Sequence, residues 1–328
     1  MQGLELCRRF FLEVGMPAIR ARVPEGEGRF AAGIAGGSEC HGADDEVSRD
    51  HGWGPGFTLW VGEEDHDRLA EPLRAALADL PRTFLGHGWA KESGNTCRVM
   101  GIAPLIEHFV GSASPPEVPI EWLHVPEEWL FELASVQVFH DPTGEVSNAL
   151  AAFAAYPDDV RRQRLSACLF WAWEWGVKHL ERAEARGDDL AAAMYWGRYA
   201  TYAMKTGLLL HRRYAPYHKW IQREFGRLPD PCGELARLLL LGFHSPETRR
   251  ETVATITEAY GDLLRAEGYD AEMRPDSART AYTDHVLLAF ARSVRRSITD
   301  ADIRALRSQQ EALAPPVRPT WAWVAPPR

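Results

Sequence analysis

The most informative segment of the sequence runs from Gly36 to Pro55 and reads GGSECHGADDEVSRDHGWGP. One apolar run, residues 30–35, precedes it, and a second, residues 57–61, follows it. Both runs are short, are bounded by turn-forming residues and are typical of buried strands. The glycines and acidic residues between them are therefore expected at strand ends, where the sites of proteins built from helices and a sheet usually collect.

The composition indicates an ordinary globular protein. The chain has 328 residues, of which 45% are hydrophobic and 25% are charged, enough for two domains or one large domain. The formal net charge of −9 argues against a broad nucleic-acid or anionic-membrane surface, although a local basic pocket is compatible with it. The sequence contains no membrane-spanning run and no signal-peptide core, so a cytoplasmic location is expected. Its five scattered cysteines lack CxxC pairs, which indicates reduced thiols rather than disulfides or a zinc site.

The predicted secondary structure changes near residue 150, from mixed helices and strands to helices alone. Residues 1–150 predict an α/β domain, with a helix over residues 3–14 that ends at Gly15 and Pro17, a helix over 64–80 and a strand over 135–139. Residues 85–98 and 111–120 are rich in Gly, Ser and Pro and predict loops. Residues 151–314 predict a bundle of five to seven helices, and residues 315–328 a proline-rich tail. Helix periodicity covers residues 158–186, 189–213, 216–225, 232–241, 247–267 and 299–312, with Asp188 or Asp189 as an N-cap.

The Gly-Ser turn and the acids after it suggest a site for phosphate and metal. A Gly-Ser turn presents backbone N–H groups and a hydroxyl to a phosphate. Acidic residues before the next strand supply the oxygen ligands that Mg²⁺ prefers, and Mg²⁺ in turn bridges triphosphate oxygens. Asp50 is the best candidate ligand, and Asp44 and Asp45 are further candidates. Asp141 also follows a strand, and would lie beside Asp50 if the two strands pair.

Four motifs together resemble a known family. They are GGSECHGADDEVSRDHGWGP, VFHDPTGE, YPDDV and RRYAPYHKW, and they are similar to the DUF4037 group of the nucleotidyltransferase (polymerase-β-like) superfamily. The resemblance implies an α+β fold: a small mixed sheet flanked by helices, followed by an all-α domain like that of aminoglycoside nucleotidyltransferases. It also implies that Gly37 and Ser38 form the phosphate-binding turn, that Asp50 is the first metal ligand and that Asp141 is the third carboxylate.

The chain departs from this pattern at one position. The superfamily has two acids one residue apart, whereas this sequence reads Asp50-His51-Gly52. Glycine has no side chain to bind a metal. Either Asp44 or Asp45 replaces the missing acid, or His51 contributes, or the metal site is weakened. His51 is the least attractive replacement because Mg²⁺ prefers oxygen ligands.

Each of these features also has an ordinary structural interpretation. The glycine turn can exist without a ligand, and the acidic loop can simply be solvated. Asp141 precedes a proline, so it is also a candidate for a turn-initiating aspartate that bonds its own backbone.

The helical half adds two groups of interest. A basic-aromatic group surrounds Pro216 and comprises Arg212, Arg213, Tyr217 and Lys219. Lys219 or an arginine of this group would reach nucleotide phosphates; alternatively, the aromatic rings pack the helix junction while the cations face water. Trp171, Trp173 and Trp175 are spaced about 200° apart on a helix, so at least one is expected to face a pocket or an interface.

The leading functional hypothesis is a magnesium-dependent nucleotidyltransferase. It would move a nucleoside monophosphate from a nucleoside triphosphate, ATP by preference, to a hydroxyl group of a small molecule. Gly37 and Ser38 would hold the triphosphate, Asp50 with Asp44 or Asp45 would bind Mg²⁺, Asp141 would be a ligand or general base, and Lys219 would stabilise the pyrophosphate. The alternatives are a degenerate member that binds a nucleotide or metabolite without transfer, and a scaffold recruited to other biosynthetic chemistry. Transfer to protein or tRNA is disfavoured by the acidic balance.

Overall fold

A four-stranded mixed sheet organises the N-terminal part of the chain. The computed structural model describes residues 1–49, 53–88, 97–273 and 285–313. In these ranges the strands are β1 (Phe30–Ile34), β2 (Phe57–Val61), β3 (Thr83–Phe84), β4 (His87–Gly88), β5 (Cys97–Gly101) and β6 (Gln137–His140). The sheet has the order β5-β2-β1-β6, and β3 pairs with β4 separately. β1 is antiparallel to β2 and β6, whereas β2 and β5 are parallel.

The three strands that the sequence predicts are confirmed. β1 and β2 coincide with the two apolar runs, and their side chains are almost all buried, as expected for short strands without polar alternation. β6 coincides with the predicted strand after residue 135. β5 begins inside a region that the sequence predicts as loop; residues 89–96 of that region lie outside the described residues.

Helices account for most of the remaining described residues. They are α1 (Gly3–Phe10), α2 (Met16–Arg22), α3 (Glu63–Ala78), α4 (Ile102–Val110), α5 (Glu127–Ala134), α6 (Glu145–Ala151), α7 (Asp158–Trp173), α8 (Leu180–Ala185), α9 (Asp189–Leu210), α10 (His218–Gly226), α11 (Cys232–Leu241), α12 (Pro246–Ala266), α13 (Val286–Arg296) and α14 (Ala301–Ala305). Two π-helical turns, Phe11–Gly15 and Glu174–His179, join α1 to α2 and α7 to α8. None of these helices is both long enough and apolar enough to cross a membrane.

The first helical segment does not end at Gly15 and Pro17, as the sequence predicts. It passes through the π-helical turn and continues as α2. Pro17 lies just after this π-helical turn, at the second position of α2, where the pattern of helical hydrogen bonds changes. A Cβ atom at Gly15 would lie 2.5 Å from the Phe57 ring, so this glycine permits close packing of the helix on β2. Here glycine marks a packing contact rather than a helix end.

The chain divides into two units. The first comprises Met1–Pro115 and Trp129–Ala154, and the second comprises Pro116–Glu128 and the described residues from Ala155 onward. The boundary therefore lies at 154/155, and residues 116–128 belong to the second unit although they precede residue 150. The first unit holds the mixed sheet and its helices, and the second is helical. The predicted α+β class, with a small mixed sheet and a helical region, is confirmed.

In the second unit, α7 contacts both α9 and α13. The predicted N-cap at Asp188 is confirmed, because its carboxylate accepts the Ala191 N–H at 3.0 Å. The prediction of a helix over residues 299–312 is wrong for the residues after α14, which ends at Ala305. The chain after α14 is tied to α7 instead, since Trp171 Nε1 donates to the Gln309 carbonyl at 2.9 Å. These side-chain contacts replace the hydrogen bonds of a continued helix. The predicted tail, residues 315–328, lies outside the described residues.

Candidate functional site

The Gly-Ser turn follows β1 in the first unit. Gly36 and Gly37 have φ angles of 74° and 89°, in the left-handed region that favours glycine. Beyond them the Cys40 N–H donates to the Gly37 carbonyl (3.3 Å) and the His41 N–H donates to the Ser38 carbonyl (3.2 Å). The Ser38 hydroxyl donates to the carbonyl oxygen of Ser48 at 3.3 Å. The turn is thus tied to the acidic loop that follows it.

The strand register places this turn near the start of β2. Gly33 of β1 lies opposite Thr58 of β2. In an antiparallel pair the end of one strand lies beside the start of the other, so the turn and the residues directly before β2 share one end of the sheet. Asp50, His51 and Gly52 lie outside the described residues, and the assignment of Asp50 as a metal ligand stays a prediction.

Asp44 is buried and connects two segments of the first unit. Its Oδ2 accepts the backbone N–H of Gly3 at 2.6 Å and the Nε1–H of Trp53 at 3.0 Å. The side chain is only 2% exposed, and the Arg49 guanidinium lies 4.0 Å away. Donors of the protein itself therefore compensate the buried charge of Asp44 without a metal ion.

Asp45 is exposed on the same loop. Its Oδ1 accepts the Ser48 N–H at 2.8 Å, and its carbonyl oxygen accepts the same N–H at 3.1 Å. Asp45 thus begins the short 3₁₀ turn Val47–Arg49, an ordinary structural use of an aspartate. Asp45 is therefore accessible to solvent, whereas Asp44 is buried.

The structure does not bring Asp141 to the Gly-Ser turn. β6 is antiparallel to β1, with His140 opposite Ala32, so Asp141 follows β6 where β1 begins rather than where β1 ends. By this register Asp141 is level with Ala31 of β1. Ala31 lies three residues, or about 10 Å along the strand, before Ile34 at the end of β1. Carboxylates that share a metal ion must lie much closer than this. The sequence places Asp141 beside Asp50 only if their two strands pair; β6 pairs with β1 rather than with β2, so this condition is not met, and Asp50 itself lies outside the described residues.

Asp141 has a clear structural role at its end of the sheet. Its Oδ2 accepts the Ser147 backbone N–H at 2.8 Å and the Ser147 hydroxyl at 2.7 Å. Its carbonyl oxygen accepts the Gly144 N–H at 3.2 Å. Asp141 thus closes a turn and satisfies an N–H in the first turn of α6.

Glu39 belongs to the turn, and the sequence leaves open whether it lines the site or lies on the surface of the loop. It is 8% exposed, and its Oε2 would lie 2.6 Å from a Cβ atom at Gly37. Burial raises the pKa of the Glu39 carboxyl, and the nearby charge of Asp44 raises it further, whereas a hydrogen bond from its own backbone N–H opposes this shift. A carboxyl group therefore occupies space directly beside the predicted phosphate-binding glycine.

His41, for which the sequence leaves the same two possibilities open, pairs with Glu132 at this end of the sheet. His41 Nε2 lies 3.1 Å from both carboxylate oxygens of Glu132, and the His41 side chain is 2% exposed. Glu132 keeps 27% of its side chain exposed. The two residues are 91 positions apart in the sequence, and they meet because Glu132 lies on α5, which packs near the turn. Glu132 is thus an acidic group near the turn for which the sequence carried no local signal.

The cationic candidate of the helical half is exposed. Lys219 lies on α10, and its ammonium is 4.8 Å from the centre of the Trp220 ring. The motifs YPDDV and RRYAPYHKW contact each other. The ring centres of Tyr156 and Tyr214 are 4.6 Å apart, and the Arg212 guanidinium donates a hydrogen bond to the Asp158 carboxylate at 3.0 Å. Packing and surface ion pairs therefore account for much of both motifs, whereas the role of Lys219 toward phosphate stays a prediction.

Across the described ranges, no group of three or more His, Cys, Asp or Glu side chains could hold a metal ion. Asp44 is taken by protein donors and Asp141 lies elsewhere. The described residues alone therefore do not fit a magnesium site, and the fit depends on Asp50.

The family comparison addresses the later motifs. Residues 122–221 match the model of the family described as "Domain of unknown function (DUF4037)". The predicted DUF4037 resemblance is confirmed for these residues. The matched DUF4037 region contains VFHDPTGE, YPDDV and RRYAPYHKW, but not the stretch from Gly36 to Pro55.

The other comparisons add little to the DUF4037 match. None of the curated proteins matches the chain. A solved structure of a nucleotidyltransferase-like protein from Exiguobacterium sibiricum 255-15 is 11% identical, and the alignment covers 88% of this chain and 90% of that one. Its TM-score is 0.33, so this likeness supports no conclusion about activity.

Proposed function

We propose that this chain is a nucleotidyltransferase-like protein whose first unit binds a nucleoside triphosphate, ATP by preference, at the Gly-Ser turn. The observation that carries the proposal is the pair of left-handed glycines, Gly36 and Gly37, at the sheet end where β2 begins. Such a turn directs backbone N–H groups toward an anion. The DUF4037 match over residues 122–221 is compatible with this proposal.

The proposed reaction transfers a nucleoside monophosphate to a hydroxyl of a small molecule. The hydroxyl oxygen would form a bond to the α-phosphorus, pyrophosphate would leave, and a carboxylate would take the hydroxyl proton. Asp50 is the proposed metal ligand and Asp45, exposed on the same loop, its proposed companion. Asp141 has no part in this site because of its position on the sheet.

A second candidate function, binding of a nucleotide or metabolite without transfer, is favoured by a specific observation. Gly52 stands where the superfamily has its second acid, and the buried Asp44 is already satisfied by Gly3 and Trp53. A chain with one remaining strong ligand would bind Mg²⁺-nucleotide weakly and transfer slowly.

Pyrophosphate release from ATP and Mg²⁺, measured with a panel of hydroxyl-bearing acceptors, tests both candidates. The proposal expects release by the wild type, loss of release in Asp50→Asn, and unchanged release in the matched control Asp141→Asn. Release by Gly52→Asp but not by the wild type would select binding without transfer. Absence of release in the wild type, together with absence of nucleotide binding in a calorimetric titration, would refute both the transfer reaction and nucleotide binding without transfer.

A further inference from the structure

A cavity of about 580 Å³ lies inside the second unit. It is lined by residues of α7, α9 and α10, by the start of α5 and by the segment after α14. All the lining residues belong to the second unit, so the cavity does not depend on the nucleotide site proposed for the first. Its volume lies within the range of about 300–1,000 Å³ found for small-molecule sites.

One wall of the cavity is aromatic. Trp171 and Trp175 have ring centres 5.4 Å apart and planes inclined by 7°, and Tyr202 stacks on Trp171 at 6.1 Å. The expectation that one of the helical tryptophans faces a pocket is confirmed for Trp171 and Trp175. Trp173 is buried instead. These rings stack on one another, so their edges give the cavity an apolar, aromatic wall against which a further ring can pack edge to face.

The deeper charges of the cavity balance one another. The Lys205 ammonium lies 3.3 Å from Glu127 and 3.2 Å from Glu311, and Arg164 donates to the Val125 carbonyl at 3.2 Å. Burial opposes the charge of Lys205, but the two carboxylates outweigh burial and raise its pKa. Two cations thus face two anions, and this layer requires no charge from a ligand.

Two further charged residues line the cavity, Glu128 and Arg198. Among the described residues neither forms an ion pair or a side-chain hydrogen bond; the guanidinium of Arg198 lies 4.5 Å from the centre of the Trp175 ring. A guanidinium stacked by its face keeps its N–H edges for a carboxylate. A carboxylate such as that of Glu128 accepts hydrogen bonds from an ammonium.

We propose that this cavity binds a small aromatic zwitterion of amino-acid type. Its ring would lie along Trp171 and Trp175, its carboxylate would pair with Arg198, and its ammonium would pair with Glu128. A ligand with only one charge would form only one of these two ion pairs, and it would lose the binding free energy of the other pair.

Three probes that share one ring test the proposal on the full-length chain. They are L-phenylalanine, phenethylamine and phenylpropanoate, followed by tryptophan fluorescence and by calorimetry. L-phenylalanine is expected to bind saturably, and each single-charge probe is expected to bind at least about tenfold more weakly. Absence of saturable binding by L-phenylalanine, or equal affinity for a single-charge probe, would overturn the proposal.

Two variants assign the charges. Glu128→Gln should lose the preference for L-phenylalanine over phenylpropanoate, and Arg198→Gln the preference over phenethylamine. Glu258→Gln and Arg186→Gln, at exposed positions of the same unit, are matched controls and should keep both preferences. Because each readout is a ratio within one variant, a general folding defect would weaken all probes alike and leave the ratio unchanged. Retention of both preferences in both cavity variants would refute the assignment.

Discussion

Replacing Asp44 by alanine tests whether this carboxylate is an internal anchor of the first unit. In the structure its Oδ2 accepts hydrogen bonds from Gly3 (2.6 Å) and from the Trp53 indole (3.0 Å), and the side chain is 2% exposed. A hydrogen bond to a charged group contributes about 1.5–3 kcal/mol, and the variant leaves two buried donors unpaired. We therefore expect Asp44→Ala to lower the free energy of unfolding of the first unit by about 3–5 kcal/mol.

Hydrogen exchange followed by mass spectrometry measures this change locally. Peptides from α1 report on the segment that Asp44 holds, and a loss of about 3 kcal/mol corresponds to roughly a hundredfold faster exchange in protected amides. Asp45→Ala is the matched control, because Asp45 lies on the same loop but is exposed; it should cost about 1 kcal/mol or less. Wild-type exchange in Asp44→Ala would refute the anchor and return Asp44 to the list of metal ligands.

Three further predictions follow from named contacts. Asp141→Ala removes two hydrogen bonds from Ser147, so it should lower the free energy of unfolding by about 1 kcal/mol in a thermal unfolding experiment. ATP binding should be unchanged, and a loss of ATP binding would contradict the conclusion that Asp141 lies away from the Gly-Ser turn. Burial raises the pKa of Glu39 above 4.5, so the stability that its neutral carboxyl provides is complete below pH 4.5 and is lost as the pH rises through the raised pKa. Glu39→Gln should therefore gain stability relative to the wild type as the pH rises toward neutral, in urea unfolding at a series of pH values; a difference independent of pH would contradict this. All five cysteines are buried thiols, and burial raises the pKa of Cys7 to about 12, so a thiol reagent at mildly alkaline pH should label none in the native chain and five after unfolding.

The strands were predictable because their signal is local. The apolar runs that became β1 and β2 are short, continuous and bounded by turn residues, and these properties alone indicate buried strands. The direction of β6 was not predictable, since antiparallel pairing with β1 depends on packing between residues far apart in the sequence. That direction is what separates Asp141 from the Gly-Ser turn.

Tertiary contacts also decided the other differences. The residues after α14 have helical periodicity, but their carbonyl groups bond side chains of α7, such as Trp171. Gly15 looks like a helix end in the sequence, yet it serves a close contact with Phe57. Glu132 contacts the turn through its hydrogen bond with His41. Because the two residues are 91 positions apart, no local sequence pattern predicts this contact.

Calorimetric titration of ATP into the full-length chain, with and without Mg²⁺, shows whether the Gly-Ser turn and Asp50 form a magnesium-dependent nucleotide site in which Asp141 takes no part. We predict that Mg²⁺ tightens ATP binding by the wild type and by Asp141→Asn, and that Asp50→Asn loses this dependence. Wild-type affinity that is unchanged by Mg²⁺, or an equal loss in Asp141→Asn, would contradict the account.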